Sequence, residues 1–263
     1  MSLLELRDDR GLLTLRLDRP DKRNAIDDAT MTALIAALEG AATDDDVRVI
    51  LLEGAGDHFC GGADIVARNQ ASDRKPRPGS IQRRVPTLAH RLIPLVCSVQ
   101  IPVVCKVRGW AAGIGFQLAL AADFTIAAED ARFWEPFGER GFTPDSGATW
   151  LLPRRVGEAR ARELLLLGRA LSGSEAAEWG AIHRAVPGDQ LDATADELVD
   201  QLAHGPTVAL GLTKWLLHAG ASADLHAQLA NEAFALELSS RSQDFREGLA
   251  AFGEKRPPRF EGR

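Results

Sequence analysis

No stretch of this chain approaches the ~20 consecutive apolar residues that a membrane-spanning helix needs, which excludes a helical membrane protein. Cysteine is scarce. The three present, Cys60, Cys97 and Cys105, form no CxxC pair and no metal-ligand spacing, which argues against a metal site and against a disulfide framework. Cys60 stands beside two glycines, where a reactive thiol and a small filler are both open readings, the filler being the commoner case. An excess of positive charge is missing too. The 31 Lys and Arg against 37 Asp and Glu give a net charge of −6, the wrong sign for a general nucleic-acid binder. The opening residues, Met1-Ser2-Leu3-Leu4-Glu5-Leu6-Arg7-Asp8, lack the pattern of a signal peptide. Together with reduced thiols, this points to a cytoplasmic protein. What remains is an ordinary globular balance, 45% hydrophobic and 26% charged. At 263 residues the chain suffices for one large domain, or a core with a smaller appendage.

What is there is organised around Arg108-Gly109-Trp110-Ala111-Ala112-Gly113-Ile114-Gly115-Phe116-Gln117-Leu118-Ala119-Leu120-Ala121-Ala122-Asp123. It follows an apolar strand, Val103 to Val107, and opens into an Ala/Leu segment that reads as a buried helix. Small residues at the join let backbone approach backbone or ligand. A helix starting there points free N–H groups outward, able to hold a phosphate or a developing oxyanion. A tight turn that needs its glycines only for packing would look the same.

Earlier in the chain, residues 3–7 and 12–17 read as a hairpin, with Leu13, Leu15 and Leu17 alternating against Thr14 and Arg16. The spacing of Met31, Leu34, Ile35 and Leu38 predicts a helix from about Asp27 to Gly40, capped by Asp27 or Asp28. Val47 to Glu53 is a strand that runs into a second small-residue turn, residues 54–64. Two strands leading into Gly/Ala turns and then helices imply an α/β fold with parallel strands and crossover helices. Residues 67–85 are polar, basic and Pro-containing. They read as a solvated loop, or as a lid whose arginines meet an anionic ligand. An amphipathic helix carrying His90 and Arg91 follows from about Pro86 to Val99, with Pro94 inside it.

Asp123 to Ala128 and Ala131 to Trp134 read as strands, and Glu135 to Gly147 as an irregular loop. Asp145 is a plausible N-cap for a helix over Ala148–Val156. From Gly157 the chain reads as mostly helical, with one short strand at Ala181 to Val186. Three helices and a basic tail, Lys255-Arg256-Pro257-Pro258-Arg259, close it. No internal repeat stands out beyond the two strand-to-glycine turns.

Taken together, these segments resemble the enoyl-CoA hydratase/isomerase (crotonase) superfamily. Arg19-Pro20-Asp21-Lys22-Arg23-Asn24-Ala25 resembles its early RP-x-x-x-NA turn, and Phe59-Cys60-Gly61-Gly62-Ala63-Asp64-Ile65 its F-x-x-GADI loop. Pro102 to Asp123 matches its glycine-rich core, and Arg241 to Pro257 its S-x-D-x-x-E-G-x-x-A-F-x-E-K-R-x-P ending. The resemblance implies a crotonase (ClpP/crotonase-like) spiral of ββα repeats over residues 1–200. It implies a helical C-terminal region, 201–263, for trimerisation and site closure, with a homotrimer or a hexamer as the assembly. The implied substrate is an acyl-CoA thioester. Coenzyme A is then part of the substrate, and no separate cofactor is expected.

The shared chemistry of that superfamily is stabilisation of a thioester enolate by two backbone N–H groups, here those of Ala63 and Ile114. Each such donor is worth ~3–4 kcal/mol of barrier. Around them Gly62, Asp64, Ile65, Gly113 and Gly115 would line the substrate site, with the Arg-rich loop 74–84 a candidate for the CoA phosphates.

The pattern also breaks. A family hydratase adds water with two glutamates, and this chain has Gln117 and Phe137 in their places. Neither side chain is a general base. Gly141-Phe142-Thr143-Pro144-Asp145-Ser146-Gly147 instead resembles the G-L-x-P-D-x-G segment of isomerase branches, where the aspartate shuttles a proton along the acyl chain. Trp150-Leu151-Leu152-Pro153-Arg154 and Ala176-Ala177-Glu178-Trp179-Gly180 are most similar to the epoxyphenylacetyl-CoA isomerase branch. An apolar surround of Trp134, Phe137 and Phe142 would raise the basicity of Asp145. Double-bond isomerisation with Asp145 as the base is the expectation. Three alternatives stay open: hydratase-type water addition, a dehalogenase or hydrolase route with Asp145 as nucleophile and His90 activating water, and a catalytically inactive acyl-CoA binder.

Overall fold

The computed structural model describes residues 2–64 and 77–263. Ile65, and Arg74 and Lys75 of the basic loop, lie outside the described residues. The hairpin forms over the expected residues: β1 (Leu3–Arg7) and β2 (Leu12–Leu17) pair antiparallel, Leu3 opposite Leu17. From β2 the sheet continues in parallel through β3 (Val49–Gly54), β4 (Val103–Val107), β6 (Phe124–Ala128) and β9 (Arg184–Val186), in the order β1-β2-β3-β4-β6-β9. The apolar runs of β3 and β4 are continuous because both faces of this sheet are covered. Ile50, Leu52, Val103 and Cys105 pack into the main core on one face. Val49, Leu51 and Val104 meet Val199, Leu202 and Ala203 of helix α8 (Leu191–Ala203) on the other.

A second, three-stranded sheet joins β5 (Trp110–Ala112), β7 (Arg132–Trp134) and β8 (Leu171–Ser172) in the order β5-β7-β8. The chain passes repeatedly from the large sheet to this small one and then into a helix. Thus β4 leads to β5 and to α4 (Ile114–Ala121), and β6 leads to β7 and, past a loop, to α5 (Ala148–Val156). After β3, the same step appears as a single parallel bridge of Cys60 to Ala111. This is the ββα spiral. Its second strands are three residues or fewer, too short for a period of two to register. That is why residues 110–112 read as part of a turn and no repeat stood out.

Helix α1 (Asp28–Ala41) is capped by Asp27, whose side chain accepts from the Thr30 N–H at 2.8 Å, a bond worth about 1 kcal/mol. It packs on α3 (Ala89–Ser98), whose buried face is Ala89, Leu92, Ile93 and Val96. The helix expected from Pro86 starts later. Residues Val85–Thr87 form a 3-10 turn instead, preceded by the short helix α2 (Ser80–Arg84) inside what read as loop. The last part of the chain holds α9 (Thr207–Gly220), α10 (Leu225–Ser239) and α11 (Gln243–Glu254). Helix α8 runs across residue 200, and the next helix starts at Thr207.

Buried Lys214 of α9 pins this region to the core. Its Nζ lies 2.7 Å from Asp123 Oδ2 and donates to the Val96 and Ile101 carbonyls. Exposed apolar side chains line α9–α11, among them Leu217, Leu225, Phe234, Leu249 and Phe252. Among the described residues, no helix is long and apolar enough to cross a membrane.

Candidate active site

Two turns meet at the edge of the small sheet. In the first, Phe59 and Cys60 donate to the Arg108 and Trp110 carbonyls, and the Ala112 N–H returns a bond to Cys60 O. The chain then leaves β5 and pairs with Ile26 on its other side. Ile26 N–H donates to Gly62 O, and Asp64 N–H to Ile26 O. These two bonds bracket Ala63, so its own N–H points the opposite way, as residue alternation along an extended chain requires. The turn is pegged from below by Asn24, which holds a left-handed conformation that asparagine tolerates. Its Nδ2 donates to Ala55 O and His58 O, while its Oδ1 accepts from the Arg19 N–H. Arg19 in turn bonds Ala25 O and reaches the Asp64 carboxylate at 2.9 Å. The early RP-x-x-x-NA motif is therefore a clamp on the second motif.

The other turn is Gly113-Ile114-Gly115. Gly113 has φ 52° and ψ −122°, accessible only without a side chain, and its N–H donates to Trp134 O at 2.9 Å. Ile114 opens α4. No side chain caps this helix, and the Ile114 side chain is buried in the core, so its N–H is one of the unsatisfied donors of a helix start. Among the described residues neither the Ala63 nor the Ile114 N–H has an acceptor. The turns touch backbone to backbone. A Cβ on Gly115 would lie 2.7 Å from Cys60 Cβ, and one on Gly62 would lie 3.1 Å from Ala112 O. Cys60 is buried, and burial pushes its thiol up to about 12, so it is a filler rather than a reactive group.

Gln117, one turn into α4, is 0% exposed. Its Nε2 donates to both carboxyl oxygens of Glu135, at 3.1 and 3.3 Å, while its buried Oε1 has no partner among the described residues. Glu135 is 1% exposed. Burial pushes its carboxyl well above the usual carboxylate range, the Gln117 amide opposes the shift, and the charge of Asp145 adds to it. Its charged form is thus disfavoured. In the sequence Glu135 is one of several acids at the irregular loop. The signal for its burial lay in the alternation of β7, which turns Phe133 inward, Trp134 aside and Glu135 inward again.

Asp145 does not cap α5. That position is Gly147, at φ 93°, because two residues separate Asp145 from the helix. Its Oδ1 accepts from Ser146 Oγ at 2.8 Å instead. Its backbone carbonyl accepts from His90 Nε2 at 2.6 Å, which fixes the proton on that ring nitrogen. His90 thus tethers the loop through Nε2 and has only Nδ1 left to act as a base.

The predicted aromatic surround of Asp145 is assembled only in part. Phe137 is buried and packs edge-on to Phe142 at 5.4 Å. Trp134 turns to Trp110, lies under Arg140, and donates to Gly168 O. The bonds to Asp145 are polar ones. Beside it lies an apolar cavity of about 280 Å³ walled by His90, Ile93, Ser146, Trp150, Leu151 and His218.

Two small-residue turns in backbone contact, one of them at a helix start, each leave an amide without an acceptor among the described residues, on a crotonase fold. The chain belongs to the enoyl-CoA hydratase/isomerase family, whose profile matches residues 7–263. It is 42% identical to a 1,2-epoxyphenylacetyl-CoA isomerase of Escherichia coli (strain K12), covering 97% of each chain. It is 33% identical to a 2,3-dehydroadipyl-CoA hydratase of the same organism over the full length of both. An enoyl-CoA hydratase structure from Bacillus anthracis superposes with a TM-score of 0.92 at 31% identity, covering 100% of both chains. The protein is an acyl-CoA-transforming enzyme of this family.

Proposed function

We propose that the protein is an acyl-CoA isomerase that moves a double bond. The Ala63 and Ile114 N–H groups hold the thioester oxygen as it becomes an enolate, and Asp145 removes the proton. One observation carries this reading. The two places where a family hydratase keeps its glutamates hold the buried Gln117 and Phe137, neither a base, while Asp145 is a partly buried carboxyl on a loop tethered by His90. The name of the 1,2-epoxyphenylacetyl-CoA isomerase relative supports isomerisation over water addition. The 280 Å³ cavity is where we place the acyl or aryl end of the substrate. Arg77, Arg83 and Arg84, on the basic loop and α2, are candidates for the CoA phosphates. The apolar faces of α9–α11 support a trimer or a pair of trimers. The substrate supplies the CoA, and the chemistry calls for no other cofactor.

The test is incubation with enoyl-, dienoyl- and aryl-CoA esters in deuterated water. Deuterium entering the acyl group with migration of the double bond and no gain of water is the expected result. Asp145→Asn should abolish both while CoA-ester binding persists. Full turnover in that variant, or water addition in the wild type, would overturn the proposal.

A further inference from the structure

The segment that carries Asp145 is bounded by two glycines in left-handed backbone, Gly141 at φ 72° and Gly147 at φ 93°. Between them the chain makes few bonds. The Phe142 N–H donates to Phe137 O, and beyond it no backbone-to-backbone hydrogen bond joins Thr143, Pro144, Asp145 or Ser146 to any described residue. Ser146 Oγ bonds Asp145 Oδ1 within the segment itself. The one polar tie from another element, among the described residues, is His90 of α3, whose Nε2 lies 2.6 Å from the Asp145 carbonyl oxygen. A carbonyl oxygen only accepts, so Nε2 carries the proton and donates. His90 also shares a face of α3 with Ile93, Pro94 and Cys97, the spacing of one helical stripe, and this face walls the apolar cavity. Ser146 and Gly147 wall the same cavity from the loop side. The histidine thus stands where the body of the protein, the cavity and the Asp145 segment meet.

We propose that His90 is a positioning residue for the proton transfer. It holds the Asp145 backbone at the edge of the acyl cavity, and it neither gives nor takes a proton in the reaction. This rests on the reading of Asp145 as the base. The bond is to main chain, so it fixes where the Asp145 side chain starts and leaves the carboxylate to the Ser146 hydroxyl and the substrate. A segment with so few bonds of its own takes its place from such a contact. Displacing a reacting group by about 1 Å costs on the order of a hundredfold in rate. Because the tether acts on the base and not on the acyl group, its loss falls on kcat rather than on KM.

Two substitutions separate holding from proton transfer. His90→Gln keeps an N–H donor near the Nε2 position and has no titratable group, whereas His90→Phe keeps a ring on the cavity wall and has no donor. Both are assayed beside the wild type and Asp145→Asn with a trans-3-enoyl-CoA ester in deuterated water. In His90→Phe, double-bond migration and deuterium exchange should fall together by about a hundredfold in kcat, with KM within about threefold. His90→Gln should recover kcat to within about tenfold of wild type. Trypsin nicking after the exposed Arg140 reads the tether without turnover. It should speed up about tenfold in His90→Phe and return toward the wild-type rate in His90→Gln. A kcat within about threefold of wild type in His90→Phe, a loss carried by KM, an equal loss in both variants, or nicking that does not change would each overturn the proposal. Exchange that persists in Asp145→Asn would sink the reading of Asp145 as the base, a separate result, and the nicking rates would still decide whether His90 holds the loop.

Discussion

Gly115→Ala tests the oxyanion geometry without touching a group that bonds or titrates. The added Cβ would sit 2.7 Å from Cys60 Cβ and 2.8 Å from Cys60 O. Carbon atoms in ordinary contact stand ~3.5–4.0 Å apart, so the two turns must separate by roughly 1 Å. One of the close atoms is backbone and the other is fixed to it, so no side-chain rotation relieves the clash. Overpacking of this kind costs ~1–3 kcal/mol of stability. The larger effect falls on turnover. The Ala63 amide moves with Cys60 and the Ile114 amide with Gly115. Displacing one donor forfeits up to ~3–4 kcal/mol of barrier, which is 10²–10³ in kcat. Steady-state kinetics on the isomerised ester, with thermal unfolding in parallel, reads both. Cys60→Ala in the same chain should not restore activity, since it removes only Sγ. Gly40→Ala is the control. That glycine lies in α1 with nothing within 4 Å of its would-be Cβ, and the change should raise stability by ~0.5–1 kcal/mol and leave kcat alone. Wild-type kcat in Gly115→Ala would refute the claim that contact between the turns sets the site.

Lys214→Met should destabilise the fold by about 3 kcal/mol, because it removes the cation that offsets the burial of the Asp123 carboxyl. Urea unfolding with an unchanged midpoint would contradict that. Cys60 and Cys105 should resist thiol reagents in the native state near pH 8 and react once the chain unfolds. Burial raises both thiols, to about 12 for Cys60, so their contribution to stability is complete below the unfolded thiol range and is lost as pH rises toward the folded values. Native-state labelling of Cys60 would show the first turn to be open. Phe252, 86% exposed on α11, should lie in a subunit contact. Phe252→Glu should lower the mass measured by light scattering, and a monomeric wild type would refute this.

Much of the site was legible because its parts are local. A strand that runs into small residues and then a helix can be read from the order of residue types, and Ala63 and Ile114 follow from that order together with the family resemblance. Gln117 and Phe137 were conspicuous as departures from a pattern. The short strands β5 and β8 were not legible, since two or three residues carry no periodicity, and they exist because neighbouring turns bring their hydrogen-bond partners to them. Trp134 was expected beside Asp145 on the strength of being aromatic and nearby in the chain. The alternation of β7 turns it away.

The sequence by itself determined the parallel α/β class, the hairpin, the two glycine turns and the lack of a base at 117 and 137, because each is a property of adjacent residues or of a motif, and it narrowed the cap on α1 to Asp27 or Asp28. Only the tertiary structure decided that Arg19 and Asn24 clamp the first turn, that His90 tethers the Asp145 loop through its backbone, and that Glu135 is buried against the Gln117 amide. Those are relations between residues 18 to 55 positions apart. Burial and hydrogen-bond partnership at such separations arise when distant segments pack together, and it is burial, rather than residue type, that disfavours the charged form of the Glu135 carboxyl.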